Sequence, residues 1–250
     1  MSVFETEAVI LNCRDHGESD RIVAFYGEAT GMLKGFAKGA RRSKKRFVHT
    51  LEPCSVVRLT YRARKGLVWI ECCNLLEPHL GLRTDLKRWG QAALISEIML
   101  EMVPEGECQP ELYLLLKQTL DQLVKTRDPV NVVLLFLLRF FHVMGYLPAL
   151  ERCEVCHRPL KTAHYWWWRI SRGTLVCTEH GQTDEDRLRL DLGTLVLIQQ
   201  SRHFSLTNMW RLHFSQYRKV PLFNALLEWV REHIKKDLKS LRLLEQLGSA

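Results

Sequence analysis

Four side chains in the stretch "LERCEVCHRPLKTAHYWWWRISRGTLVCTEHG" restrict the fold more than any other feature of this 250-residue chain. Cys153 and Cys156 form one short pair, Cys177 and His180 a second, and twenty residues separate the pairs. A two-residue gap lets both side chains of a knuckle reach one tetrahedral ion, so the spacing turns the intervening chain back on itself. Four ligands close the coordination shell and leave no position for water or substrate. That points to one structural zinc ion and away from a catalytic one. Two other readings fit the residues: a redox dithiol at Cys153 and Cys156, and a degenerate site without metal. The redox motif belongs at the start of a helix after a strand, whereas "GYLPALER" and "HRPL" flank these cysteines like loops. His157 and His164 compete with His180 for the fourth place. Gly181 suits a tight turn after it. Tyr165 to Trp168 supply filling for a module too small to build a core otherwise, and an exposed member of Trp166–Trp168 would suit base stacking.

The rest of the chain changes character once. Residues 1–78 hold five short segments rich in β-branched and aromatic residues: "AVILNCR", "RIVAFYG", "GMLKGFAKG", "SVVRLTYRA" and "GLVWIECCNLLE". Turn-prone pieces separate them. Val57, Leu59 and Tyr61 alternate with Arg58, Thr60 and Arg62, which sends the arginines to solvent. Five strands suit a small closed barrel without exposed edges, and an SH3-like barrel fits nearly as well. Residues 79–250 read as a helical domain, with 150–183 an inserted metal-binding module. Thr84 is the expected N-cap of a helix that stops at Pro104. Pro110 opens a second helix. Asp128 and Pro129 open a third, which is apolar nearly all round and belongs at the centre of a bundle. A last helix is expected to start at Pro221 and run through Leu222, Leu226, Val230, Ile234, Leu238 and Leu241.

That third helix is interrupted by Asn131, Arg139 and His142 and falls short of the ~20 apolar residues of a membrane span. The N-terminus lacks the basic and apolar regions of a secretory signal, so the expected location is cytoplasmic, with no membrane partner. Cys13, Cys54, Cys72, Cys73 and Cys108 show no paired spacing and read mostly as small buried hydrophobes.

Charge is local. Lys34, Lys38, Arg41, Arg42, Lys44, Lys45, Arg46, Arg58, Arg62, Arg64 and Lys65 fall in one window whose only acid is Glu52. The whole chain carries +8, so the remainder is slightly acidic. "KGARRSKKR" between two strands reads as an exposed, mobile loop whose charges attract phosphates and give salt-dependent binding without sequence preference. Phe36, Phe47 and Tyr61 lie among the charges as core residues or stacking platforms. Ser19 and Asp20 of "GESD" lack the partners of a catalytic set, and no Walker-type phosphate loop is present, so the chain is not read as an enzyme.

The segment "TEAVILNCRDHGESDRIVAFYGEATGMLKGFAKGARRSKKR" resembles the N-terminal part of the RecO family of bacterial DNA repair proteins. "FLLRFFHVMGYLPALERCEVC" resembles the family's second signature, and "RGTLVCTEH" falls where it has a second ligand pair. The resemblance implies an α+β multidomain chain: an N-terminal five-stranded OB-fold β-barrel, then a C-terminal helical domain with an inserted zinc-ribbon-like module. It also implies a recombination mediator that binds single- and double-stranded DNA and anneals complementary strands. With its partner RecR, such a protein helps load RecA onto DNA coated by single-strand-binding protein, in the bacterial cytoplasm and at the nucleoid. The DNA-contacting positions correspond to Lys38, Arg41 and Arg42, with Lys44 and Lys45 following; Lys34, Arg46, Arg62, Arg64 and Lys65 extend the same basic surface. The zinc ligands correspond to Cys153, Cys156, Cys177 and position 180, where His180 replaces the usual cysteine. Arg139 is the candidate contact for the acidic C-terminal tail of single-strand-binding protein. Lys235, Lys236, Lys239 and Arg242 offer a second basic surface for annealing. The alternative is an RNA-binding or ribosome-associated OB/zinc-knuckle protein, for which the same charges would serve.

Overall fold

The computed structural model describes residues 2–63, 67–147, 150–160, 164–181 and 187–248. Two compact units emerge, one of residues 1–126 with 238–249 and one of residues 127–237. The change from strand to helix after Glu77 is therefore not where the compact units divide.

The first unit is built on β1 (Val3–His16), β2 (Asp20–Gly27), β3 (Gly31–Ala37), β4 (Val56–Arg62) and β5 (Val68–Glu77). They close into a barrel in the order β1-β2-β3-β5-β4, with β4 returning to β1. All neighbours are antiparallel except β3 and β5, which meet in parallel through Gly35 with Val68 and Phe36 with Trp69. This order is that of the OB-fold, so the SH3-like alternative falls away. One long strand serves two partners because a register shift between Ile10 and Asn12 bends it. Val57, Leu59 and Tyr61 point inward as their alternation requires, joining Ile10, Val23, Phe25 and Ile70. Each such side chain contributes about 1.5–3 kcal/mol by burial. Gly35 marks the closest approach of β3 and β5, since a Cβ there would lie 2.6 Å from Ile70 Cδ1.

Three helices follow: α1 (Leu80–Arg83), α2 (Leu86–Met102) and α3 (Pro110–Lys125). Asp85, not Thr84, caps α2; its carboxylate accepts from the backbone N–H groups of Lys87 and Arg88. Thr84 ends α1 instead, donating its hydroxyl to Gly81 O. The loop between α2 and α3 locks onto the barrel. Met32 donates to Glu107 O, Gly106 donates to Met32 O, and the Tyr26 hydroxyl accepts from the Gln109 N–H at 3.0 Å. The last helix, α8 (Lys239–Gln246), also belongs to this unit. Leu244 lies over Gly90 of α2, and Glu97 accepts from the first backbone N–H groups of α8 at Lys239 and Ser240.

The second unit centres on α4 (Pro129–Val143), capped by Asp128 as its sequence indicates and buried from Asn131 to Phe141 except at half-exposed Arg139. Asn131 is buried but satisfied, donating to Leu212 O and accepting from Phe214 N–H. Strands β6 (Tyr165–Arg169), β7 (Thr174–Val176) and β8 (Leu188–Asp191) form a small sheet in the order β7-β6-β8. Helices α5 (Leu192–His203), α6 (Leu206–Met209) and α7 (Gln216–Ile234) complete the unit. Helix α7 starts before Pro221, not at it: Ser215 O accepts from Arg218 and Lys219, and the buried Lys219 ammonium pairs with Asp128 at 2.5 Å. Those anchors outweigh the one helical bond that proline removes. The helix ends at Lys235, whose φ of 53° is left-handed, so Leu238 becomes the N-cap of α8 and Leu241 falls within it rather than in one continuous helix. No helix of the described residues is long and apolar enough to cross a membrane.

Gly31 combines a φ of +66° with a position where a Cβ would meet Glu107 O at 1.9 Å. Gly31→Ala is expected to lower the unfolding free energy by about 2 kcal/mol or more. Urea denaturation measures it, and unchanged stability would show that the α2–α3 loop does not press on β3.

Candidate nucleic-acid interface and metal centre

The basic segment between β3 and β4 has a two-sided pattern. Ala40, Phe47 and Leu51 are buried in the barrel core, while Arg41, Arg42, Lys44, Lys45 and Arg46 face solvent. A loop with three apolar anchors wraps the barrel end instead of moving freely, which corrects the expectation of mobility. Its backbone is fixed from the other side by "GESD". The Asp20 carboxylate accepts from Gly39 N–H at 2.7 Å and from the Ser19 hydroxyl at 2.9 Å, and Ser19 O accepts from Arg41 N–H at 2.9 Å. Gly39, with a φ of +68°, leads into a single 3-10 turn over Ala40–Arg42. The Gly39 N–H, followed by the Ser19 hydroxyl, holds the Asp20 carboxyl below its usual range.

Arg46 is the inner clamp. Its guanidinium donates to Lys38 O at 2.9 Å and Glu71 O at 3.4 Å and lies over the Phe47 ring. Beside it opens a groove of about 690 Å³ lined by Lys38, Gly39, Arg46, Arg62, Trp69, Ile70 and Glu71. Arg62 pairs with Glu71 at the rim. Arg41 pairs with Asp15 at the end of β1 and Arg42 with Glu18 on the turn that follows, both acids being exposed. Lys44 and Lys45 make no ion pair among the described residues. Lys34 lies apart, on β3, paired with Glu105. Arg64 and Lys65 lie outside the described residues. The arrangement is an anchored cationic rim around a groove with an indole in its wall.

In the second unit, Cys153, Cys156, Cys177 and His180 bring their ligand atoms within 4.8 Å of one another. The Cys156 and Cys177 sulfurs are 3.8 Å apart, and Cys153 Sγ is 3.7 Å from His180 Nδ1. A tetrahedron with metal–sulfur bonds of about 2.3 Å has edges of about 3.8 Å. The donor set thus fits a tetrahedral ion. His157 has a left-handed φ of 57° and is exposed, as is His164, so of the three histidines only His180 joins the sulfurs. Burial pushes the Cys153 thiol up, but the N–H groups of Cys156, Cys177 and Val155 outweigh it and bring the thiol down to about 6. Such amides favour the thiolate a metal needs. The "YWWW" run alternates: Trp166 and Trp168 are buried, while Tyr165 and Trp167 are half-exposed under Arg189 and Arg187. Gly181 serves close packing, because a Cβ there would strike Trp167 Cδ1 at 2.3 Å.

Comparison with known proteins bears on both sites. The family described as Recombination protein O N terminal matches residues 1–79, and Recombination protein O C terminal matches residues 83–242. The chain belongs to the recombination protein O family. Its relatives include the DNA repair protein RecO of Syntrophobacter fumaroxidans, 58% identical with both chains covered in full. The RecO protein of Desulfatibacillum aliphaticivorans is 31% identical over 97% of this chain and 96% of its own. That of Syntrophus aciditrophicus is 29% identical over 97% and 95%. The role of this RecO family member therefore lies in DNA repair and recombination.

Sequence reasoning missed two parts of the barrel site. Asp20 was set aside as a stray acid, although a carboxylate one strand away from a glycine with an unpaired N–H is what a tight turn needs. Trp69 is absent from the sequence reading; its place between buried Val68 and Ile70 and its pairing with Phe36 turn it outward. Phe47 and Tyr61 are core, whereas Phe36 is half-exposed beside Trp69. Arg139 donates to the carbonyls of Ser201, Arg202 and Phe204 and so caps α5. The lysine cluster near the C-terminus divides between the end of α7 and α8. Asp20→Ala is expected to speed amide hydrogen exchange at Gly39 and Arg41 without unfolding the barrel; unchanged exchange there would show that the apolar anchors alone hold the turn.

Proposed function

We propose that this chain is a non-enzymatic recombination mediator that binds single- and double-stranded DNA through the cationic rim of its barrel and anneals complementary strands. The observation that carries the reading is the anchored turn bearing Arg41, Arg42, Lys44 and Lys45 beside the groove of Lys38, Arg46 and Arg62. Cations held at a barrel end neutralise phosphates and release condensed counterions, which gives affinity without reading sequence. Neutralising two strands lowers their repulsion while base pairing selects the partner. Family membership supports the wider role: acting with RecR to load RecA onto DNA coated by single-strand-binding protein. Arg139, held rigidly by three carbonyls, is the positive charge assigned to the acidic tail of that coating protein.

The Cys3His set is read as holding one zinc ion. When bound, zinc supplies a closed structural cross-link and no reaction. Cys153 and Cys177 are buried, Cys177 N–H points at Cys153 Sγ at 3.4 Å, and Trp166 and Trp168 of the adjoining sheet are buried as well.

Replacing Arg41, Arg42, Lys44 and Lys45 together by alanine is expected to weaken single-stranded DNA binding by about tenfold or more and reduce the salt slope by about 3. A titration over a series of salt concentrations measures both, and unchanged affinity would overturn the assignment. RNA competing better than DNA for the native chain would favour an RNA-binding protein instead. Cys177→Ser is expected to abolish the stoichiometric zinc and lower Tm by more than about 5 °C, while leaving single-strand affinity within about twofold. Full zinc content by elemental analysis would exclude Cys177 as a ligand.

A further inference from the structure

One row of the barrel's outer face runs in register through all five strands. Arg14 of β1 stands opposite Ile22 of β2, Ile22 opposite Phe36 of β3, Phe36 beside Trp69 of β5, and Trp69 opposite Arg62 of β4. Two aromatic rings thus occupy the middle of the row, with an arginine at each end. Phe36 lies between buried Gly35 and Ala37, and Trp69 between buried Val68 and Ile70, so both rings point away from the core. Their centroids are 5.3 Å apart and their planes are tilted by 51°. His16 meets Phe36 edge-on from β1. The indole also lines the groove that carries Lys38, Arg46 and Arg62. The solvent side of an antiparallel sheet is ordinarily polar, so two outward rings flanked by cations are an unusual outer surface.

We infer that Phe36 and Trp69 form a base-stacking platform, which makes the substrate of this face a single strand with its bases turned onto the sheet. The inference rests on the DNA-binding reading and adds to it the part of the nucleotide that phosphate contacts ignore. Neighbouring strands lie about 4.8 Å apart, so each ring has a guanidinium one or two strand spacings away, placed for the backbone of the same strand. In a duplex the bases are already stacked and paired, and the rings gain nothing from it. Cations therefore bind either form, while the rings select the open one.

The same pair also holds the barrel seam, because β3 and β5 meet through only two residue pairs. Leucine at both positions keeps apolar contact across the seam and removes the ring faces. Phe36→Leu with Trp69→Leu is expected to weaken binding of an oligo-dT strand about tenfold, leave its salt slope unchanged and keep duplex affinity within about twofold. A second measurement needs no variant: the native chain is expected to bind oligo-dT about tenfold more tightly than an abasic strand of equal length at the same salt. Equal binding of the two strands, equal losses on single strand and duplex, or an undiminished single-strand affinity in the folded double variant would each overturn the platform. The four-alanine variant separates the two ideas: its failure to weaken binding strikes the phosphate assignment, and the abasic comparison still reports on the rings.

Discussion

The hydrogen bond from Gly39 N–H to the Asp20 carboxylate is the contact on which the barrel site depends. It joins the turn after β1 to the loop after β3, so two motifs distant in sequence become one corner of the molecule. Without it, a glycine in the left-handed region would leave its N–H unpaired at the entrance to a stretch of five cations within six residues, from Arg41 to Arg46. Like charges so close repel one another, and an unanchored chain would spread them. The carboxylate, together with Ser19 O on Arg41 N–H and the apolar anchors Ala40, Phe47 and Leu51, fixes the backbone, so the repulsion is held in a defined surface instead of being relieved by disorder.

The metal centre works by an analogous constraint in the second unit. Its sheet has three short strands and a hydrophobic interior consisting largely of Trp166, Trp168, Leu175 and Val176. Backbone amides aimed at Cys153 favour the thiolate, and the knuckles bring the two ends of the module together. The tryptophans then contribute bulk that so few residues cannot otherwise assemble. The barrel rim and the metal centre both organise charge.

Much of this was legible from residue order. Strand alternation in β4 placed Val57, Leu59 and Tyr61 inside, and the Asp128–Pro129 pair located the start of α4 to the residue. The Cys-x2-Cys and Cys-x2-His spacing identified the four residues that converge. Other features depend on contacts that spacing does not encode. Pro221 looked like a helix start because proline favours that place, yet the buried Lys219–Asp128 pair draws the helix past it. Trp69 carries no spacing signal of its own, and its direction is decided by the register of β5 against two partners at once. The loop read as mobile because it is dense in charge, and the three buried residues among those charges became visible only once the barrel end was closed over them.

The placement of α8 has a consequence for how the protein is made. The first unit takes helix α8 from beyond the second unit in the sequence, so that helix is synthesised only after residues 127–237. A ribosome would therefore release a closed barrel early, with the face of α2 around Gly90 still bare and the Glu97 carboxylate still without its amides. That surface is covered only when Leu244 emerges, so the nascent protein carries an incomplete unit for more than a hundred residues of elongation. Closure of the N-terminal unit therefore waits on the segment that follows the second unit in the sequence.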